Sequence, residues 1–109
     1  MQGFDFKKNP PSRVQGGIEA EAKQTMDNFA EIMAAARNAT MSDIVECTVL
    51  LADLKDFDAF NKVYAAAFTD GVYPTRIASE GTLFGGAAVE VKCMADVSQY
   101  FTAEELRLA

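Results

Sequence analysis

From Ile18 onward, apolar residues recur at Ala22, Met26, Phe29, Met33 and Ala36, at spacings of four, four, three, four and three. That is a single stripe of a helix, with Glu19, Lys23, Asp27, Glu31 and Arg37 distributed elsewhere around it. Gly16-Gly17 marks the start, and Asn38 suits a left-handed stop. The period then drops to two. Ile44–Ala52 is rich in β-branched residues, and Val45, Cys47, Val49 and Leu51 alternate onto one face of the strand it predicts. Asp53 and Asp56 offer N-caps for a second helix with the stripe Phe57, Phe60, Tyr64 and Phe68, which Asp70-Gly71 ends. A loop through Pro74 leads to a strand over Arg76–Phe84. Gly85-Gly86 turns the chain into a further strand over Ala88–Val97, with Val89, Val91 and Cys93 on one face and Glu90, Lys92 and Met94 on the other. Lys7–Ser12 contains two prolines and is expected to be a loop, whereas Thr102-Ala103-Glu104-Glu105 has the form of a capping box opening a short helix over 102–108.

The order short strand, helix, strand, helix, strand, strand predicts one α+β domain over 1–109, with its core in 3–97. Right-handed crossovers would set both helices on one face of a small mixed sheet. The other face would mix Ile44, Leu50 and Met94 with Glu46, Thr48, Glu90 and Lys92. This is too apolar for water and too polar for a core, and oligomerisation, with pockets where subunits meet, is the expected resolution.

Composition narrows the chemistry. Sixteen acidic residues against ten basic give a net charge of −6, which argues against extended contact with nucleic-acid phosphates. No apolar run approaches the ~20 residues of a membrane span, and the first residues lack the pattern of a secretory signal. Cys47 and Cys93 each lie in an apolar, strand-like run and are expected to be buried free thiols. Those suit a reducing compartment, with the cytoplasm as default. There is no histidine, which removes imidazole-based triads and every imidazole metal site. Chemistry must run on carboxylates, Arg, Lys, Tyr, hydroxyls, backbone amides and water, and neither a metal nor an organic cofactor is expected.

Five segments, in order, resemble one family. Ala22-Lys23-Gln24-Thr25-Met26-Asp27-Asn28-Phe29 is similar to its "ARQSLDNV", and Asp43–Phe57 to its "DIVKTTVFVKDLNDF". Phe60-Asn61-Lys62-Val63-Tyr64 with Phe68 matches its second helix, Tyr73-Pro74-Thr75-Arg76 its "(F/Y)PAR", and Val89-Glu90-Val91-Lys92 its "IEIE". The family is the Rid group, also called YjgF or L-PSP proteins, which hydrolyse reactive imines and enamines; the resemblance runs from about Gly3 to Ala95. An arginine at a strand start is ordinarily a solvated surface residue. The resemblance instead implies that Arg76 forks a substrate carboxylate, a task for which the planar guanidinium is suited. It implies that Glu90, otherwise an outward-facing strand carboxylate, orients or deprotonates the attacking water and stabilises a protonated imine. Gly3 aligns with a pocket glycine, Asn61 with a pocket-lining position and Ala78 with a frequent cysteine contributing only backbone. The aromatic stripe Phe57, Phe60, Tyr64 and Phe68 is expected to be core. Arg76 precedes Glu90 by fourteen positions across the Gly-Gly turn, so the two strands are expected to bring both side chains to one pocket rim.

The chain also departs from the pattern. Lys92 replaces a second glutamate, Gln2 stands in place of a serine, and two further family strands would precede the segment that starts here. One of those strands carries an aromatic residue that covers the pocket. The resemblance implies a homotrimer with intersubunit pockets, hydrolysing small 2-imino acids such as 2-iminopropanoate to 2-keto acids and ammonia. A non-catalytic, carboxylate-binding homo-oligomer is a second reading, and a ribonuclease or translation-inhibitor role a third, weakened by the charge and the missing histidine.

Overall fold

In the computed structural model, which describes residues 1–8 and 10–108, the helical stripe becomes α1 (Gly17–Ala35). Ala22, Met26 and Met33 are buried, with Ile18, Phe29 and Ala36 packed at the margin. Arg37 and Asn38 both adopt left-handed backbone (φ 56° and 61°), ending the helix where the asparagine predicts. Ahead of it, Phe4–Asp5 (β1) pairs antiparallel with Ser12–Arg13 (β2), flanking the proline loop; Asn9, part of that expected loop, lies outside the described residues.

The first period-two segment is β3 (Ile44–Leu51), followed by a short turn over Leu54–Asp56 and then α2 (Phe57–Ala66). The Asp53 carboxylate accepts from the Lys55 N–H at 2.9 Å, so it caps the turn ahead of the helix. Phe60, Tyr64 and Phe68 are buried. The strands β4 (Thr75–Glu80) and β5 (Val89–Ala95) complete a mixed sheet of order β4-β3-β5, in which β4 is parallel and β5 antiparallel to β3. Val49, Leu51, Val89 and Val91, all fully buried, pack with Phe60 in the centre of the core. Burying each of those side chains contributes about 1.5–3 kcal/mol.

Three expectations are corrected. First, a shift in register at Ile44/Glu46 inserts a bulge into β3, reversing the alternation at its start. Ile44 therefore enters the core (5% exposed), while Val45, expected inside, faces out (51% exposed). Second, β4 stops at Glu80, not Phe84, because its partner β3 ends opposite it at Leu51. The chain then arches over the end of β3 to reach β5 on the far side. Gly85-Gly86, with φ of 67° and 75°, lies inside that arch and does not form a hairpin between neighbouring strands. Third, Cys47 and Cys93 are not free thiols. They are register partners across β3 and β5, with Cα atoms 4.1 Å apart, and are joined as a disulfide. Two apolar runs read separately do not reveal that their cysteines end up opposite each other. The argument for a reducing compartment loses its basis with them; what stands is that no described helix is long and apolar enough to cross a membrane.

At the N-terminus, the Val91 N–H donates to the Met1 carbonyl at 2.8 Å, so the chain start runs along the edge of β5. Gly3 is pressed against α1: a Cβ there would lie 2.7 Å from the Glu21 carbonyl oxygen and 2.8 Å from its Cα. Glu21 itself is buried, and its carboxylate accepts from the Ala88 N–H at 3.0 Å, tying α1 to the start of β5. At the C-terminus, α3 (Ala103–Leu108) begins with the expected reciprocal cap. The Thr102 N–H donates to Glu105 at 2.9 Å, and the Glu105 N–H donates to the Thr102 hydroxyl at 3.1 Å. Arg37 forks the Glu105 carboxylate and stacks on Phe101 with its guanidinium carbon 4.2 Å from the ring centre.

Two outcomes follow from this packing. Gly3→Ala should destabilise the fold by about 1–3 kcal/mol, because the clash is with backbone that cannot rotate away; an unchanged denaturation midpoint would show that the approach is not tight. The Arg37 contact and the Thr102 N–H hold the Glu105 carboxyl at about 2, below its ordinary 4.5. Its contribution to docking α3 is therefore complete above about pH 4.5 and is lost as pH falls towards 2. Protease protection of the tail should decline across that window. Arg37→Ala should remove the protection already at neutral pH, and a tail equally protected in that variant would contradict the clamp.

Candidate functional site

Residues directly opposite each other in a sheet share a face, so the register across β3 decides where each candidate points. Arg76 on β4 is opposite Cys47, and Ala78 is opposite Val49; both therefore face the helices. Glu90 on β5 is opposite Leu50, on the open face. With β3 between them, their strands are about 10 Å apart, and the side chains leave opposite sides of the sheet. The expected single rim holding both Arg76 and Glu90 does not exist within one chain. The expectation failed because it took β4 and β5 as neighbours.

Two separate groups result. On the helix side, the half-buried Arg76 guanidinium lies among the rings of α2, its central carbon 4.8 Å from the centre of Tyr64, 5.5 Å from Phe57 and 5.9 Å from Phe60. Cation–π attraction of this kind holds the planar group in place, at roughly 0.5–2 kcal/mol depending on desolvation. Among the described residues no carboxylate pairs with Arg76. On the same helix, the Asn61 side-chain oxygen and the Tyr64 hydroxyl are buried without a hydrogen-bond partner among the described residues. Burial pushes the Tyr64 phenol above its ordinary value, partly offset by the nearby Arg76 charge, so it remains a neutral O–H. A guanidinium without a carboxylate partner among the described residues, near a Tyr64 hydroxyl free to donate, has the chemistry of an anion site. The aromatic stripe is core, as its spacing predicts, and it also forms the wall on which Arg76 rests.

On the open side, Glu90 is half-buried and accepts from the Gln2 side-chain amide at 3.2 Å. Gln2 was noted in the sequence only as a departure from a pattern; nothing local predicts that it reaches a strand 88 residues away. Gly3 follows it, but its lack of a side chain is required by the backbone of α1. Around these groups the open face carries Leu50, Ile77 (69% exposed) and Met94 (54% exposed). A cleft of about 320 Å³ lies away from these groups, between α1 and α2, lined by Lys23, Met26, Lys62 and Val63 among others. Among the described residues no group of three or more Cys, Asp or Glu is arranged to hold a metal ion.

Comparison with known proteins places this geometry in context. The family model described as Endoribonuclease L-PSP matches residues 6–97. The chain is 37% identical over 91 residues to the rat 2-iminobutanoate/2-iminopropanoate deaminase, covering 83% of this chain and 65% of that protein. It is 41% identical over 83 residues to the goat protein of the same name, covering 75% and 59%. The chain thus spans about three-fifths of the length of these relatives. Among solved structures, RidA from the Antarctic bacterium Psychrobacter superposes with a TM-score of 0.79 at 31% identity, covering 88% of this chain and 75% of that one. The YjgF gene product of E. coli superposes with a TM-score of 0.75 at 30% identity, covering 87% and 76%. With its sheet order, its helices on one face and its matched segment all in agreement, the chain belongs to the Rid (YjgF/L-PSP) family and has that family's α+β fold.

Proposed function

We propose that the chain is a subunit of a homotrimer that hydrolyses small 2-imino acids, such as 2-iminopropanoate, to 2-keto acids and ammonia at pockets between copies. The observation that carries this reading is the half-buried Arg76 guanidinium, held on three aromatic rings with no carboxylate partner among the described residues. The rat and goat relatives, each a 2-iminobutanoate/2-iminopropanoate deaminase, support the substrate class.

In this mechanism Arg76 forks the substrate carboxylate, Asn61 supplies an acceptor beside it, and Ala78 leaves room at the strand. Glu90 of a neighbouring copy faces the imine carbon. Its carboxylate stabilises positive charge on the protonated nitrogen and takes a proton from the water that attacks the C=N carbon. The new C–O bond gives a tetrahedral carbinolamine. Glu90 returns the proton to nitrogen, and the C–N bond breaks and ammonia leaves. The hydroxyl gives up its proton to the Glu90 carboxylate, and from there to ammonia or water, as the carbonyl of the keto acid forms. No oxidant or reductant is required. A second reading, a carboxylate-binding oligomer without turnover, draws support from the separation of Arg76 and Glu90 within one chain. An RNA-cleaving role is disfavoured by the net charge of −6.

With 2-iminopropanoate generated in place, the protein should accelerate keto-acid formation above the spontaneous rate. Glu90→Gln should still bind pyruvate yet lower the enzymatic rate by about 10²–10⁴-fold. Arg76→Lys should instead weaken pyruvate binding by about 1.5–3 kcal/mol, since a point charge cannot reproduce a bidentate fork. Pyruvate binding without any acceleration would favour the non-catalytic reading; equal binding by Arg76→Lys would remove Arg76 as the clamp.

A further inference from the structure

The structure assigns to Gln2 the role of a positioning residue for Glu90, its side-chain amide fixing one carboxylate oxygen so that the other is presented to water. This rests on the hydrolytic reading above and goes beyond it, because Gln2 stands where the family pattern has a serine.

Gln2 is fixed from both sides. The preceding residue is tied to β5 by the 2.8 Å bond from the Val91 N–H to the Met1 carbonyl. The following residue is seated by the close approach of Gly3 to the Glu21 backbone, and its carbonyl accepts from the Val14 N–H at 2.9 Å. The Gln2 carbonyl in turn accepts from the Phe4 N–H at 3.0 Å. The backbone at residue 2 therefore has little freedom, and the amide donates to Glu90 Oε1 at 3.2 Å from a set position. Other groups near Glu90 do not orient it by a hydrogen bond: Leu50, its cross-strand neighbour, is apolar, Lys92, two residues along the same face, makes no ion pair with it, and the Met1 ammonium, whose charge acts on Glu90, donates to the Val91 carbonyl instead. A primary amide suits this task because it donates without adding charge, leaving the carboxylate able to accept a proton. A serine hydroxyl at the same backbone position is shorter by two heavy atoms and would not span the same gap.

Gln2→Met preserves length and removes the donor. It should lower kcat for imine hydrolysis about 3- to 10-fold, the scale of one lost orienting hydrogen bond, with KM unchanged because Arg76 holds the substrate. In a Glu90→Gln background the same change should have no further effect on kcat, whereas a merely structural residue would act in both backgrounds. A readout independent of turnover is the Gln2 side-chain amide signal in NMR, which should shift in Glu90→Gln. If the parent hydrolyses imine and Gln2→Met is equally fast, or equally damaging in both backgrounds, the assignment is overturned while the hydrolytic reading stands. If the amide signal responds to Glu90 but the parent shows no turnover, the hydrolytic reading falls and the positioning role falls with it.

Discussion

The register of β3 against its two neighbours is the constraint on which everything else depends. Side chains alternate along a strand with a period of two, so pairing Cys47 with Arg76 sends the arginine to the helix side, and pairing Leu50 with Glu90 sends the glutamate to the open side. A slip of one residue on either side of β3 would reverse one of them. The buried pairs Val49–Val91 and Leu51–Val89 prevent such a slip, because moving them would expose the centre of the core. Packing thus fixes the directions of the candidate site residues.

The same directions explain why Arg76 has no carboxylate partner among the described residues and why one sheet face is open, with exposed apolar residues. Arg76 is fixed by aromatic rings that are also core, so its geometry is inherited from the packing of α2. Glu90 is fixed by an N-terminal segment laid along β5 and seated on α1. Each group is held in place without the other, and the open face carries the exposed Ile77 and Met94, the kind of apolar patch that marks an interaction surface.

Much of this was legible in the sequence, for specific reasons. The stripe from Ile18 to Ala36 and the aromatic ladder of α2 repeat over enough turns to fix both identity and facing. The reciprocal cap at Thr102 and Glu105 is a local pattern and was found locally. Val45 was misplaced because a bulge changes the parity of a strand without leaving a mark in its composition. The disulfide between Cys47 and Cys93 and the separation of Arg76 from Glu90 both depend on which strands are neighbours. The short connection over Gly85-Gly86 resembles a hairpin until β3 is placed between its ends. Gln2 was missed because its contact with Glu90 joins the two ends of the chain.

The central claim is that a working site takes Arg76 from one copy and Glu90 from another. Arg76→Ala and Glu90→Ala proteins should each be inactive alone. When co-refolded in equal amounts, they should regain imine hydrolysis, because random assembly pairs an intact Arg76 with an intact Glu90 at about a quarter of the interfaces. Recovery near that fraction is the predicted result. If both variants assemble with each other but recover no activity at any mixing ratio, while the parent treated identically is active, the shared site is contradicted.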